Sequence, residues 1–538
     1  MLLVFALFLF TGHEKTSPKI GESHIDFYLQ ETRIMIESRL KISDLNSSYG
    51  CSQIDCYLNS LVNSFYNERN YKPAWTKNFT TNGNYAILSG LLDSAGYFGF
   101  PHNFINTENL VRLYSIYQKS SHSDEIAPRV DLEIESTREL FRLLVSLHKG
   151  IVYSDSSSAF ASFIKHLPVM VNHALENNKL QKVVSDIQPR LVPYKNLMAA
   201  LPGFIRSCTA IDTAKPGSLP EYVLASALYY SGIIEKPCFD SLNIIDAAVL
   251  KFQRKFSLPA DGILNKPTLQ KMSDIMQYRY YQLCLNIDRL RKTNSNEDNY
   301  VFVNIPEFKL YLIENNAEAG IFDVIVGREE TPTPVLTSRI DKIITNPHWT
   351  VPRSIVDKEM LAHIRSDSTY LLRHGYTIID NRERIVDMAM IDWVSKNPLE
   401  GKYWIRQPQG KNNALGLVKF VFQNEHSVYL HDTPGRYLFK KEKRAFSHGC
   451  IRVKEPQKLA QLLINRYYAP DKGDVDVKTA INKGESREIK LAKPIEIHLN
   501  YITSVAGSDG KLWFIDDLYG YDETAINFLF RHQKGMPN

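Results

Sequence analysis

Cys450 sits in the stretch "AFSHGCIRV", residues 445–453, between Gly449 and a short apolar tail. A buried structural cysteine needs neither His448 nor Gly449 beside it. A nucleophile needs help of that kind, because cysteine attacks as the thiolate and a neighbour must lower its pKa or take its proton. Two histidines are close in sequence: His448, and His431 in "VYLHDTPGRYLF". Val428 to Leu430 reads as the end of a strand, which puts His431 at its exit into a loop. Ile451 to Val453 reads as the start of another strand. Adjacent strands joined this way can bring the His431 imidazole to the Cys450 sulfur, which is what a Cys/His pair requires. Gly449 lets the backbone approach a substrate and adopt unusual angles. The amides of Gly449 and Cys450 can then face a developing oxyanion. From these residues alone, a catalytic pair and a chance neighbourhood both remain open.

The elements that must position this pair are mainly β. "YVFVNIPEFKLYLIE" alternates and is rich in Val, Ile, Phe and Tyr, which predicts two strands around a turn at Pro306. "FDVIVG" is a further strand, and "LVKFVFQNEHSVYLHD" a hairpin turning near Gln423 to His426. "PIEIHLNYITSVAGSDGKLWFIDD" predicts another hairpin with Asp509-Gly510 at its turn. The strands are interrupted over residues 353–404 by segments such as "SIVDKEMLAHIRSDSTYLLRHGY", which read as helical and polar. The interruption is long for a loop and predicts an inserted subdomain. Upstream, residues 23–216 are mainly helical in pattern, as in "ELFRLLVSLHKGIVY". A compact unit over 217–278 follows, with Ile245, Val249, Phe252 and Phe256 on one helix face and a turn at Asp261-Gly262. Thr268 is placed to cap a short second helix there. "RKTNSNEDN" marks the end of a polar linker over 279–299, and residues 300–538 form the β-rich part.

Composition narrows the field. A chain of 538 residues is too long for one core and suggests about three domains. Its formal net charge of +5 is small for that length and lacks the clustered basic patch of a nucleic-acid binder. The apolar run Leu2–Phe10 is too short to span a bilayer. It has the length of a signal-peptide core, without the basic flank, so residues 1–22 read as a signal peptide or short membrane segment. The six cysteines include no C-x-x-C pair, and no histidine cluster has zinc spacing. No metal or other cofactor is expected. Cys51 and Cys56 are close enough to form a small disulfide loop in an oxidising compartment.

"SHGCIRV", with the histidine of "HDTP" upstream, resembles the signature of bacterial cell-wall L,D-transpeptidases with a YkuD-type catalytic domain. "VGREETPTP", "NPHWTVPRSI" and "NNALGLVKF" resemble the large multidomain Gram-negative members of that family. "VLKFQRKFSLPADGILNKPTL" is similar to a peptidoglycan-binding domain, although Asn265 stands where a glycine is common. "ERNYKPAWTKN" and "SAGYFGFPHNF" are similar to the helical scaffold domain. The resemblance implies a multidomain α+β protein: a helical scaffold domain, a small helical peptidoglycan-binding domain, and a mainly-β catalytic domain with an inserted helical capping subdomain. It implies that Cys450 attacks a stem tetrapeptide at the carbonyl of diaminopimelate, expels D-Ala, and passes the acyl group to the diaminopimelate amine of a second stem. His431 matches the general base, and the Asp432 carbonyl would orient its ring. Gly449, Cys450 and Tyr429 would stabilise the oxyanion, with Ser447 and His448 supporting the loop. Arg452, Asn413 and Trp404 are the candidates for substrate binding. An ion pair for Arg452 and packing for Trp404 are the competing readings. The partners implied are peptidoglycan stem peptides and glycan, in the periplasm, with inner-membrane association through the N-terminal segment. Water as acceptor would make the same site an L,D-carboxypeptidase, and a non-catalytic wall-binding scaffold is the reading from another class. A papain-like peptidase fits poorly, because there the histidine lies far downstream of the cysteine.

Overall fold

The computed structural model describes residues 22–47, 53–77, 80–101, 104–120, 125–151, 158–238, 245–293, 295–468 and 475–530. The N-terminal apolar run and the Cys51–Cys56 pairing lie outside the described residues. The chain divides into two compact units after Gln188.

The first unit is helical, as its three- and four-residue apolar spacing requires. It holds α1 (Glu22–Ser47), α2 (Gln53–Glu68), a two-strand pair β1 (Thr76–Lys77) and β2 (Thr80–Thr81), then α3 (Gly83–Asp93), α4 (Thr107–Ser120), α5 (Ala127–Lys149), α6 (Ser158–Glu176) and α7 (Leu180–Asp186). Its polar centre is Glu133, fully buried on α5. Its carboxylate accepts from the amides of Ala74 (2.7 Å), Trp75 (3.0 Å) and Thr76 (2.8 Å), so one side chain fixes the chain ahead of β1. A buried carboxylate is tolerable only when hydrogen-bonded in this way.

The second unit opens with α8 (Val192–Asp212), α9 (Glu221–Tyr230), α10 (Ile245–Lys255) and α11 (Lys266–Thr293). Residues 189–216, placed by sequence with the preceding helices, pack here instead. Leu201, Phe204 and Cys208 of α8 share a core with Met276, Tyr280 and Cys284 of α11. Around the turn before α11, Gln253 donates to Asp261 Oδ1 (2.8 Å) and accepts from the Gly262 amide (2.9 Å). The cap is not Thr268. Asn265 Oδ1 accepts from the Thr268 amide (3.0 Å) and hydroxyl (2.8 Å), so Asn265 does the capping. The helix it starts is long. α11 runs through most of the expected linker to Thr293, with Leu283, Ile287 and Leu290 fully buried.

The β-rich part follows: β3 (Tyr300–Asn304), β4 (Lys309–Glu314), β5 (Ala317–Gly327) and β6 (Leu336–Thr345). Then comes the insertion, with β7 (Trp349–Thr350), α12 (Arg353–Ile355), a π turn over Val356–Met360, α13 (Leu361–Ser366), α14 (Tyr370–Arg373), β8 (Thr377–Asp380), β9 (Ile385–Val386) and β10 (Tyr403–Gln407). The chain returns through β11 (Val418–Phe422), β12 (Leu430–His431), β13 (Ala445–Ser447), β14 (Ile451–Val453), α15 (Pro456–Tyr467), α16 (Val477–Asn482), β15 (Arg487–Asn500), β16 (Ser504–Ala506), β17 (Leu512–Phe514) and α17 (Tyr521–Phe530). Nine strands form one sheet in the order β13-β5-β14-β12-β11-β6-β15-β3-β4, and β4 pairs back onto β5, so the sheet closes on itself. Closure removes the open edges that would otherwise seek partners. Val301, Leu312, Val324, Phe420, Leu430 and Ile451 face one core, which α15 covers with Leu459 and Leu463. The opposite side chains of β3, Tyr300 and Phe302, join the core of α8 and α11. The insertion is not purely helical. It has its own four-stranded sheet, β7-β10-β8-β9, and its own small core of Val356, Ile364, Ile378 and Ile405.

Candidate active site

β12 and β14 are parallel neighbours, with Leu430 opposite Ile451 and His431 opposite Arg452. Leu430 and Ile451 point into the core. Alternation along a strand therefore turns Tyr429, His431, Cys450 and Arg452 to the other face, together. β11 lies on the far side of β12 and sets Lys419 opposite His431. Five side chains of the right chemistry thus share one patch because the sheet's pleat sorts them there.

His431 is 5 % exposed, and its Nδ1 lies 2.5 Å from the Asp432 carbonyl oxygen. A carbonyl only accepts, so Nδ1 carries the proton and Nε2 is left as an acceptor. Burial, then the neighbouring Arg452, pushes the imidazole down to about 3 despite that bond. The resting ring is neutral. Burial pushes the Cys450 thiol up, opposed by the neighbouring Tyr429 and by the charges of Lys419 and Arg452. Burial pushes the Tyr429 phenol up as well, with Cys450 adding to the shift and Trp349, the first residue of the insertion's sheet, opposing it.

The loop before Cys450 is held on both sides. Ser447 Oγ donates to the Cys450 carbonyl (2.5 Å) and accepts from the Gly449 amide (3.2 Å). The Gly449 amide is therefore engaged within the loop. Gly449 has φ +108, a conformation closed to other residues. Thr333, in the loop after β5, donates from Oγ1 to the Gly449 carbonyl (2.9 Å) and accepts from the Gly327 amide (2.8 Å). His448 faces away from the pair. Its Nε2 lies 2.5 Å from Glu359 Oε1 on the insertion, and Arg328 Nη2 donates to the same oxygen (2.9 Å).

The remaining predicted residues divide. The Asp432 carboxylate accepts from the Leu417 amide (2.9 Å), so it shapes the chain entering β11. Arg452 is largely buried, and its Nε has no hydrogen-bond partner among the described residues. Asn413 does not reach the patch. It is 2 % exposed, and its amide is spent on the Gln407 and Pro408 carbonyls (3.2 and 2.8 Å) while its oxygen accepts from Leu415 (2.8 Å). Trp404 stands on β10, opposite Ile379 in the insertion's sheet, not on the strands that carry Cys450 and His431. Sequence reasoning missed Lys419, Thr333, Arg328 and Glu359. The alternation of "LVKFVF" carried a signal for Lys419, since it sets the lysine on the face opposite the core. Among the described residues, no cluster of three or more His, Cys, Asp or Glu side chains could hold a metal ion.

Residues 298–479 match the model of the YkuD family, described as the L,D-transpeptidase catalytic domain. Residues 298–479 form a YkuD-type L,D-transpeptidase domain. Residues 60–201 match a scaffold domain and residues 241–272 a "Putative peptidoglycan binding domain". A curated relative from Haemophilus influenzae, named "Putative L,D-transpeptidase", is 33% identical over 277 residues, covering 49% of this chain and 54% of the relative. The chain thus spans about half the length of that relative. A solved structure, described as the Ldtfm-avibactam carbamoyl enzyme, aligns over 38% of this chain and 49% of its own at 12% identity, with a TM-score of 0.19. So low a score adds nothing to the fold. The chain thus carries a YkuD-type domain and a segment similar to a peptidoglycan-binding domain. The patch on β12 and β14 lies wholly within the YkuD-type domain.

Proposed function

We propose that the protein crosslinks peptidoglycan by L,D-transpeptidation through Cys450, at the periplasmic cell wall. The observation that carries this is the shared face of Cys450, His431, Tyr429 and Arg452 on two parallel strands of a YkuD-type domain. The resting pair is a neutral thiol beside a neutral imidazole, so the proton moves as the bond forms. Sulfur adds to the diaminopimelate carbonyl of a stem tetrapeptide while His431 Nε2 takes the thiol proton. The negative charge that develops on the carbonyl oxygen raises the proton affinity of the ring beside it. The Cys450 amide and the Tyr429 hydroxyl are the donors for that oxygen. The imidazolium then gives its proton to the departing D-Ala amine, leaving a thioester. The diaminopimelate amine of a second stem attacks the thioester, His431 takes its proton, and the sulfur leaves. Arg452, with a spare buried donor, suits a carboxylate of the stem. β-Lactams of the carbapenem class would acylate the same sulfur. Attachment to the inner membrane through the N-terminal segment belongs to this reading but lies outside the described residues. No described helix is long and apolar enough to cross a membrane.

The test is to incubate the protein and its Cys450→Ala variant with disaccharide-tetrapeptide and read the products by mass spectrometry. A dimer lacking one D-Ala, made by the wild type alone, is the expected result. Tripeptide without dimer would make the protein an L,D-carboxypeptidase. Neither product, together with no mass gain from a carbapenem, would leave a wall-binding scaffold.

A further inference from the structure

Lys419 projects from β11 on the face opposite Val418 and Phe420, both fully buried in the core. A lysine on an outer sheet face ordinarily reaches for water or an acid. This one does neither. It is half-buried, its Nζ lies 3.9 Å from the centre of the Tyr429 ring, and among the described residues it makes no ion pair with a carboxylate. The groups around it come from four strands and one loop end. They are Tyr429 and His431 on and before β12, Cys450 and Arg452 on and before β14, Lys342 on β6, and Glu488 on β15. Glu488 is already paired with Lys342 (3.3 Å). Burial pulls the Lys419 ammonium down; among its neighbours Cys450 favours its charge and Lys342 opposes it. The attraction is mutual, since Lys419 also favours the ionised sulfur. The one group beside Lys419 that can become its counter-ion is therefore the thiolate of Cys450.

We propose that Lys419 is a positioning residue for acyl transfer: its ammonium, held on the face of Tyr429, supplies the positive charge that stabilises the Cys450 thiolate. This rests on the reading of Cys450 as the nucleophile. It assigns to the lysine a task that an imidazolium performs in other Cys/His pairs. Here the imidazole is buried beside two cations and stays neutral, so the stabilising charge comes from β11. The lysine also holds Tyr429, which neighbours the sulfur. When the thioester collapses, the same ammonium favours departure of the sulfur as an anion.

The test is the pH profile of Cys450 alkylation by iodoacetamide, followed by peptide mapping because Cys238 is also exposed. Lys419→Met is expected to move the midpoint up by about one pH unit, the effect of one charge at this range. Below the midpoint the rate would fall about tenfold, while the high-pH plateau stays as in the wild type. Lys419→Arg would restore the wild-type midpoint. An unshifted midpoint in a folded Lys419→Met protein overturns the proposal, as does a plateau and melting temperature that fall together with the midpoint unchanged. Should the methionine variant not fold, Lys419→Gln gives the same reading with a polar side chain. A wild-type Cys450 that resists alkylation throughout would instead count against the nucleophile itself, so the two failures are distinct.

Discussion

Gly416 tolerates no side chain. A Cβ there would lie 2.5 Å from Asp432 Cβ and Oδ2, and its φ of +59 is costly for other residues. Asp432 cannot step aside freely, because its carboxylate holds the Leu417 amide and its own carbonyl orients His431. Gly416→Ala is therefore expected to lower the rate of D-Ala release about tenfold or more with little change in KM. Alkylation of Cys450 at high pH should be unaffected, since the sulfur is untouched; steady-state kinetics on the tetrapeptide checks this. That Cys450 and His431 share one face was legible from residue type and strand alternation. Lys419 was not legible, although its strand was recognised. A lysine in a strand ordinarily means solvent, and only the pairing of β11 with β12 shows that this one lies under Tyr429.

The insertion meets the loop before Cys450 through the Glu359, Arg328 and His448 contacts. All three groups are partly exposed, so the cluster is worth on the order of 1 kcal/mol. Burial opposes ionisation of Glu359, but hydrogen bonds from His448 and Arg328 hold its carboxyl below the usual range. Glu359→Gln is expected to speed hydrogen exchange over residues 353–366 about three- to fivefold, with Cys450 alkylation intact. Unchanged exchange would mean that the core of the insertion alone holds it in place. The helices of the insertion were foreseen and its sheet was not, for a physical reason. β7 and β9 have two residues each, and β8 four, too few to show a period of two. α11 was misjudged in the opposite way. The polar run that ends it looks like a linker, yet burial of Leu283, Ile287 and Leu290 carries the helix through.

Across the second unit, Asp522 of α17 is fully buried and accepts from Arg289 (2.6 Å) and Gln282 (3.1 Å) of α11 and from Thr503 (2.5 Å) ahead of β16. Removing the cation strands a buried carboxylate, so Arg289→Met is expected to cost about 3–5 kcal/mol in urea unfolding. Acid should weaken the molecule in two stages. His431 is depressed to about 3 from 6.5, so the unfolded chain binds the extra proton first and stability falls as pH drops from 6.5 towards 3. Glu496, hydrogen-bonded by His498, Ser295 and Arg339, is held at about 2 against 4.5, and its contribution is lost as pH falls from 4.5 towards 2. Glu496→Gln should therefore make the fall of the urea midpoint below about pH 4.5 shallower, leaving the His431 part there and the decline above it unchanged. The closed sheet was not legible at this scale, because each strand was readable but the return pairing of β4 onto β5 is a property of the whole. One more consequence concerns α11. Its 28 residues run unbroken from the turn of the peptidoglycan-binding segment to the edge of the β-domain, a rod about 42 Å long. A rod has no elbow. On the function proposed above, a wall strand gripped at one end would meet Cys450 at a single spacing, as in a calliper set to one gauge of mesh.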